Sequence, residues 1–259
     1  MKLSSKERRN RILEELRQQS RVSIKDCARK YDVTEVSIRG DLEYLEAKGL
    51  LIRVKGGAVS RALVADEEVL PIESKAREHA REKKAIGKAA AALISEGETI
   101  ILDSGTTTLE IAKRLGGFKD LTIITNGVNI AMELAKYPQL SVIMLGGYMR
   151  SASLSITGMH AESTLKGYFV DKLFLGVDSF NLEKGLSTPS ADEASLNRTM
   201  IECAREVIAV FDSSKLNKRS FAHICLPKAL GTVITDDAFP ADAVAALSAA
   251  GPRVITVKA

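Results

Sequence analysis

The feature that most constrains the fold is a regular alternation of strand-like and helical segments after residue 83. The segments rich in β-branched and apolar residues are 99–102, 121–125, 141–145, 172–177, 207–211, 232–235 and 254–257. Helical periodicity lies between most of them, over residues 83–94, 107–115, 128–135, 161–166, 192–204 and 241–249. Strands that alternate with helices predict an α/β domain with a doubly wound, mostly parallel sheet.

The first 60 residues follow a different pattern. Ser4, Ser23 and Thr34 are positioned as N-caps of three short helices, and Glu7 completes a capping box with Ser4. After Gly49, which is positioned to end the third helix, alternating residues predict a hairpin. Three short helices, a tight turn between the second and third, and a basic hairpin indicate a winged helix-turn-helix domain. A generic three-helix bundle is the alternative.

Charge divides the chain in the same way. Residues 1–60 hold 14 Lys/Arg against 9 Asp/Glu, whereas residues 61–259 hold 23 against 24. The excess positive charge therefore lies at the N-terminus, which is typical of a small module that binds a polyanion. A solvated charged helix would give the same count. We predict a DNA-binding domain over 1–60, a linker and lead-in helix over 61–82, helical from Ser74, and a ligand-binding domain over 83–259.

A winged helix-turn-helix domain places the N-terminal half of its third helix in the major groove of double-stranded DNA. There, Arg39 suits guanine or phosphate, and Glu35 suits the amino group of cytosine. The other predicted DNA-contacting residues are Ser23, Thr34, Ser37, Gly40, Arg53 and Lys55, with Arg8 and Arg9 on phosphates.

In doubly wound sheets, ligands bind at the carboxyl ends of the strands. The first predicted strand of the second domain ends in Asp103-Ser104-Gly105-Thr106-Thr107 and leads into a helix. A glycine flanked by hydroxyl groups at a helix start offers N–H and O–H donors to an anion. The segment is neither a Walker motif nor a dinucleotide fingerprint. A Ser/Thr-rich helix cap is the alternative.

Four further predicted strand ends also carry small or polar residues. Each is by itself typical of a turn, but five such ends together predict one lined pocket. The residues that we assign to its phosphate end are Ser104, Gly105, Thr106, Thr107 and Lys215. Those assigned to sugar hydroxyls are Asp103, Asn126 and Asp178, and the remaining lining residues are Gly146, Gly147, Arg150 and Glu193, with Asn197 one helical turn beyond Glu193.

Several classes of protein are disfavoured. No apolar run approaches the roughly 18 residues of a membrane helix. Residues 1–6 lead directly into a charged stretch, so we expect no signal peptide. Cys27, Cys203 and Cys225 are odd in number and widely spaced, which disfavours a disulfide framework or zinc site. We therefore expect a cytoplasmic protein without metal or cofactor.

Two sets of motifs resemble those of the DeoR family of regulators. In the first 60 residues they are Val33-Thr34-Glu35-Val36-Ser37-Ile38-Arg39-Gly40-Asp41-Leu42 and Gly56-Gly57-Ala58. In the second domain they are 103–108, 125–126, 145–147, 174–178 and 212–215. The resemblance implies a transcriptional repressor whose sensor domain is similar to sugar-phosphate isomerases and deaminases. It also implies a homodimer or homotetramer that responds to a phosphorylated sugar.

Two details refine this resemblance. The family commonly has Arg, Lys or Asn at the position of Gly40, and a glycine within a helix costs about 1 kcal/mol relative to alanine. Gly40 also removes one expected DNA contact, so the operator sequence of relatives does not transfer. Residues 175–178, 185–188 and 192–198 resemble repressors of N-acetylgalactosamine and galactosamine utilisation. The expected effector is therefore a phosphorylated amino sugar.

Two other functions would use the same residues. An active isomerase or deaminase would need Asp103, Asp178, Glu193 and Lys215 for proton transfer. The attached DNA-binding domain and the absence of histidine from the predicted strand ends argue against catalysis, so we predict no catalytic residue. The third interpretation is a DNA-architectural protein without an effector.

Overall fold

The computed structural model describes residues 4–19, 21–47, 50–54, 56–60 and 72–259. It contains two compact units, Met1–Val69 and Leu70–Ala259, which we describe separately as the head and the body. The features predicted at Gly49, Lys55 and residues 61–71 lie outside the described residues.

The head contains the predicted helices and an antiparallel sheet. The helices are α1 (Ser5–Gln19), α2 (Ile24–Lys30) and α3 (Glu35–Ala47). The strands are β1 (Arg21–Ser23), β2 (Leu51–Val54) and β3 (Gly57–Ser60), in the order β1-β3-β2. A buried apolar core that includes Ile12, Ile38 and Leu42 joins α1 and α3. This is the predicted winged helix-turn-helix fold.

The three predicted N-caps are present. Ser4 Oγ accepts a hydrogen bond from Glu7 N at 3.3 Å, and Glu7 Oε2 accepts one from Ser4 N at 3.0 Å, which is a capping box. Ser23 Oγ accepts from Asp26 N at 3.4 Å, and Thr34 Oγ1 accepts from Ser37 N at 3.2 Å. These caps fix where each helix begins because they satisfy N–H groups that the helix leaves unpaired.

Strand β1 was not predicted from the sequence. It has only three residues and pairs with β3, so that Val22 lies opposite Ala58. The close approach of the two strands explains Gly57, because a Cβ atom there would lie 2.0 Å from Val22 O. Gly57 therefore permits the close pairing of β1 with β3 in the wing.

The body is built on a seven-stranded sheet with the order β15-β14-β12-β9-β4-β5-β6. The strands are β4 (Thr99–Leu102), β5 (Thr122–Thr125), β6 (Ser141–Met144), β9 (Val170–Gly176), β12 (Ala204–Val210), β14 (Thr232–Asp236) and β15 (Arg253–Val257). Every pairing within this sheet is parallel. The predicted parallel sheet is confirmed.

Helices cover both faces of the sheet. One face packs against α5 (Ala80–Ala91), α6 (Thr106–Ala112) and α7 (Val128–Leu134). The other packs against α8 (Met159–Leu165), α9 (Ala191–Cys203) and α10 (Ala241–Ala249). Successive strand residues alternate between the two cores: Ile101 belongs to the second, whereas Ile100 and Leu102 belong to the first. The sheet is therefore doubly wound.

Short antiparallel strands that the sequence pattern did not predict lie outside the main sheet. A hairpin is formed by β7 (Tyr148–Arg150) and β8 (Ser155–Thr157). A second small sheet is formed by β10 (Ser179–Asn181), β11 (Gly185–Thr188) and β13 (Ala222–Cys225). None of these segments contains two adjacent Val or Ile residues, the feature that marks the equally short strands β4, β5 and β6 in the sequence.

The helix predicted from Ser74 onwards is in fact two helices, and both lie in the body. Helix α4 (Ile72–Arg77) is followed by a turn and then by α5. The break is at His79, whose φ of 50° is left-handed. The side chain of Lys83 is buried and donates hydrogen bonds to the carbonyl oxygens of Lys75 and of Glu78. These bonds hold the turn against the start of α5.

Candidate functional site

The candidate site of the body lies where the strand order reverses. The chain runs from β4 to β5 and β6 on one side, then returns to β9 on the other side of β4. Loops that follow β4 and β9 therefore diverge and leave a crevice at the carboxyl ends of these strands. The predicted pocket residues Asp103 to Thr107 and Asp178 follow these two strands.

The loop after β4 is held in place by buried hydrogen bonds. Ser104 N donates to Asn126 Oδ1 at 2.8 Å, and the Asn126 side chain is buried after β5. Gly105 has a φ of 144°, a value that favours glycine, and α6 begins at Thr106. An α-helix leaves its first N–H groups without acceptors in the helix. This loop therefore directs N–H and hydroxyl donors into the crevice.

Three carboxyl groups meet beside this loop. Thr188 Oγ1, at the end of β11, lies 3.0 Å from Asp178 Oδ2 and 3.2 Å from Glu193 Oε2. Burial and the nearby charge of Glu193, with a smaller contribution from Asp178, raise the pKa of Asp103 to about 8. Asp103 is only 5% exposed, so it is mainly protonated at neutral pH in this arrangement.

Glu193 also links the hairpin β7–β8 to α9. Its Oε1 atom accepts hydrogen bonds from Ser153 Oγ at 2.9 Å and Ser155 Oγ at 2.6 Å. Arg150 Nε lies 3.4 Å from the same oxygen, and Arg150 Nη1 donates to Ser190 Oγ at 3.0 Å. Two residues predicted from separate motifs, Arg150 and Glu193, are therefore brought together.

Asn197, one helical turn after Glu193, is buried on the same helix. A side-chain hydrogen bond from Asn197 is among the interactions that lower the pKa of Asp103, against the stronger effect of burial. The i, i+4 relation predicted from the sequence thus places both side chains beside Asp103.

A cationic group that the sequence analysis did not assign lies on the other side of Asp178. Lys75 Nζ, on α4, lies 3.2 Å from Asp178 Oδ1. Burial lowers the pKa of the neighbouring Lys83. The negative charge of Asp212 opposes this shift, and the positive charge of Lys215 adds to it. Lys215 therefore lies close to Lys83, at the carboxyl end of β12. The only sequence signal for Lys75 was a helical pattern.

The remaining predicted pocket residues are Lys215, Gly146 and Gly147. Asp212 is fully buried and its Oδ1 atom accepts from Ser214 N at 3.1 Å, which caps the turn that carries Lys215. Gly146 and Gly147 are exposed where the edge strand β6 turns into β7. In the sheet, β6 is separated from β9 by the two strands β4 and β5.

The candidate DNA-contacting surface of the head is the outer face of α3. Arg39 is exposed and its Nη2 atom lies 3.2 Å from Glu35 Oε2. Ser37 Oγ lies 3.0 Å from Thr34 Oγ1. Gly40 is exposed as well. These residues were predicted as DNA-contacting, and the fold places them together at the start of one helix.

Arg8 does not lie where it was expected, on the surface that faces DNA phosphates. Its side chain is only 9% exposed, and its Nε atom lies 2.5 Å from the buried carboxylate of Asp41. Arg9 Nε lies 2.8 Å from the other oxygen of Asp41, and its guanidinium stacks 3.9 Å from the Tyr44 ring centroid. Since a charge this deeply buried must be paired, Arg8 has a structural role in joining α1 to α3.

Arg53 on β2 and Ser23 make contacts within the head. Arg53 Nη1 lies 2.8 Å from Glu43 Oε1 and its N–H donates to Glu46 Oε1 at 3.0 Å. Ser23 is the N-cap of α2. The other predicted wing residue, Lys55, lies outside the described residues. Of the two predicted wing residues the structure describes Arg53, whose strand β2 packs beside α3.

Two negative findings apply to the part of the chain that the structure describes. None of its helices has the length and apolar character needed to span a bilayer. No group of three or more His, Cys, Asp or Glu side chains in it is arranged to hold a metal ion.

Comparison with known families matches both units. Residues 8–62 match the DeoR-like helix-turn-helix domain, and residues 78–237 match the DeoR C-terminal sensor domain. Together the two matches cover most of the chain, in the order that the motifs predicted.

Several curated relatives match over nearly the whole chain. An Escherichia coli O157:H7 protein named "Putative aga operon transcriptional repressor" is 41% identical over 97% of this chain and 93% of its own. The transcriptional repressor AccR of Agrobacterium fabrum is 36% identical over 90% of each chain. The regulator GolR of Listeria innocua is 33% identical over 89% of this chain and 90% of its own.

Among solved structures, the similarity is much more distant. Ribose 5-phosphate isomerase A from Methanocaldococcus jannaschii has a TM-score of 0.40 and 20% identity, covering 53% of this chain and 54% of its own. At this level it carries no argument about function. The two family matches and the full-length relatives do decide the assignment: the chain belongs to the DeoR family of transcriptional regulators, with a helix-turn-helix DNA-binding domain and a C-terminal sensor domain.

Proposed function

We propose that this protein represses a carbohydrate-utilisation operon and is controlled by a phosphorylated amino sugar that binds at the carboxyl ends of β4 and β9. The observation that carries the proposal is the meeting of a donor-rich loop, Ser104 to Thr107, with the carboxyl groups of Asp103, Asp178 and Glu193. Relatives that are named as transcriptional repressors support the regulatory half of the proposal.

The phosphate binds at the loop after β4. Ser104 and Thr106 are partly exposed, and the N–H groups at the start of α6 have no acceptors within the helix. The hydrogen bond from Ser104 N to Asn126 Oδ1 holds the loop in place, so its remaining donors are already oriented to bind an anion. Lys215 supplies a positive charge from the end of β12.

The amino group binds at the carboxyl groups. Repulsion among Asp103, Asp178 and Glu193 contributes to the raised pKa of Asp103, and a bound ammonium group would offset it. A sugar phosphate without an amino group lacks this positive charge and would leave the repulsion in place. The acidic side of the crevice therefore favours an amino sugar over its hydroxyl analogue.

Control passes through α4, the helix by which the chain enters the body. Lys75 on α4 pairs with Asp178, a proposed effector ligand. A sugar that engages Asp178 competes with Lys75 and weakens the attachment of α4. An effector changes DNA binding only through such a difference in affinity between two arrangements.

The same proposal includes assembly and location. Helix-turn-helix proteins read two half-sites as dimers, so we propose a homodimer or homotetramer that acts on operator DNA in the cytoplasm. The protein has no catalytic role in this proposal. An isomerase or deaminase would turn over the same sugar phosphates, and turnover of galactosamine 6-phosphate by the purified protein would overturn the proposal.

A thermal-shift panel tests the effector assignment. Galactosamine 6-phosphate, glucosamine 6-phosphate, galactose 6-phosphate and free galactosamine are added to the purified chain. At 100 times its Kd a ligand stabilises by about 2.7 kcal/mol, and we expect this only for the amino-sugar phosphates. Ser104→Ala should weaken the shift, whereas Ser248→Ala on α10 serves as the matched control. An equal thermal shift with galactose 6-phosphate, or no thermal shift with any of the sugar phosphates, would contradict the assignment.

A further inference from the structure

We propose that Val36 and Gly40 form an apolar notch on α3 that reads the methyl group of a thymine in the operator. The proposal rests on the DNA-binding function of the head and adds a base-specific contact to it. Val36 is not among the DNA-contacting residues predicted from the sequence, since an apolar residue in a helix usually belongs to the core.

The geometry of α3 places both residues on its outer side. Ile38, Leu42 and Leu45 face the core of the head and are almost fully buried. At 100° per residue, Val36 and Gly40 lie on the opposite side of the helix, one turn apart. They therefore occupy the centre of the surface that enters the major groove, near the N-terminal end of the helix.

Neither residue has a structural explanation within the head. Val36 is 73% exposed, so most of its apolar surface remains in water. A Cβ atom on Gly40 would meet nothing within 4 Å, and its backbone is ordinary for a helix. Alanine would thus fit at position 40 and would favour the helix. The absence of a side chain at this position leaves room for a group that arrives from outside.

Polar side chains flank the notch on both sides. Ser37 lies on one flank and Arg39 on the other, where it pairs with Glu35 across 3.2 Å. Side chains that can hydrogen-bond to bases thus flank the apolar residues Val36 and Gly40 on both sides. Thymine alone carries a methyl group on its major-groove edge, and apolar side chains read it by direct contact. A thymine methyl placed against Val36 would fill the space that Gly40 leaves open.

Thymine-to-uracil replacement tests this contact directly, since it removes only the methyl group. The operator is first selected from random duplex DNA with the full-length protein, and each thymine is then replaced in turn. We expect replacement at one position in each half-site to weaken binding about fourfold, the value of one buried methyl group. Val36→Ala should lose this sensitivity at that position and keep it elsewhere. Leu50→Ala, another exposed apolar residue of the head, is the matched control.

Gly40→Ala supplies a second, independent readout. The added methyl group should weaken operator binding and leave the melting temperature of the protein unchanged or higher. A selected operator whose thymines can all be replaced without loss, or a Val36→Ala protein that keeps the wild-type sensitivity, would overturn the proposal and leave DNA binding intact. Failure to select any sequence would overturn the DNA-binding function together with it.

Discussion

Lys75 and Asp178 are separated by 103 positions in the sequence, and 3.2 Å separates Lys75 Nζ from Asp178 Oδ1. The other carboxylate oxygen of Asp178 accepts a hydrogen bond from Thr188. One carboxylate thus contacts both α4, at the entrance to the body, and the acidic side of the crevice. We propose that this carboxylate links an occupied crevice to α4.

Lys75→Ala should partly reproduce the effect of the sugar. Both groups of the ion pair are about one-third exposed, so solvent screening limits its contribution to about 0.2–1 kcal/mol. We expect operator affinity without sugar to fall by about 1.4-fold to fivefold, and the further fall on adding sugar to be smaller than in wild type. Fluorescence anisotropy with labelled operator measures both. Lys88→Ala, an exposed lysine on α5, should behave as wild type; an identical loss in both variants would point to a general charge effect.

Asp103→Asn should stabilise the unliganded body, and increasingly so at higher pH. The folded-state pKa of Asp103 is about 8 and its ordinary pKa is 3.8. Between these values the unfolded chain has lost a proton that the folded chain retains, so stability falls as pH rises from about 4 to about 8. The slope for one such group is about 1.4 kcal/mol per pH unit. Asparagine removes this dependence.

Unfolding monitored at pH 5.5, 7.0 and 8.5 measures the difference between Asp103→Asn and wild type. Asp237→Asn changes an exposed aspartate of the body and serves as the matched control. A constant difference between Asp103→Asn and wild type across the three pH values would contradict the assignment of a protonated Asp103.

Arg8→Met should destabilise the head by about 3 kcal/mol. Removing one partner of a buried ion pair costs about 3–5 kcal/mol, and Arg9 remains to contact Asp41. Arg11→Met changes an exposed arginine on the same helix and should cost little. Hydrogen exchange of α1 and α3 amides reports stability within the head. Loss of DNA binding without faster exchange would return Arg8 to the role of a phosphate contact.

Arg39→Ala should weaken operator binding by about tenfold to a hundredfold, which corresponds to 1–3 kcal/mol for a specific contact. Its partner Glu35 is exposed and the pair is short-range within one helix, so head stability should hardly change. The thermal shift with sugar phosphate should equal that of wild type. A reduced thermal shift would show that Arg39 also acts in the body.

Much of the fold followed from local patterns. The strands β4, β5 and β6 of the main sheet carry adjacent Val or Ile residues that mark them in the sequence. The N-caps at Ser4, Ser23 and Thr34 mark helix starts without tertiary information. The short strand β1 was missed because its pairing with β3, as of Val22 with Ala58, joins residues distant in sequence. The break at His79 is a backbone feature that helical periodicity does not reveal.

Part of the candidate site was predictable, because the carboxyl ends of parallel strands lie at the same edge of the sheet. Asp103, Asn126 and Asp178 were assigned by that rule, and the structure brings them to one crevice. Lys75 was not predictable, because its role depends on how α4 lies against Asp178. Arg8 was misassigned because its charge is visible in the sequence and its burial against Asp41 is not.

The most direct test of the account measures operator and sugar-phosphate binding on the same protein. Operator affinity is titrated at zero and saturating galactosamine 6-phosphate, and sugar affinity is titrated with and without operator. We predict that the sugar lowers operator affinity by about tenfold or more and that operator lowers sugar affinity by the same factor, since linkage is reciprocal. Ser104→Ala should weaken the response to sugar and leave operator affinity without sugar unchanged. Tight binding of both ligands with no mutual effect would contradict the account.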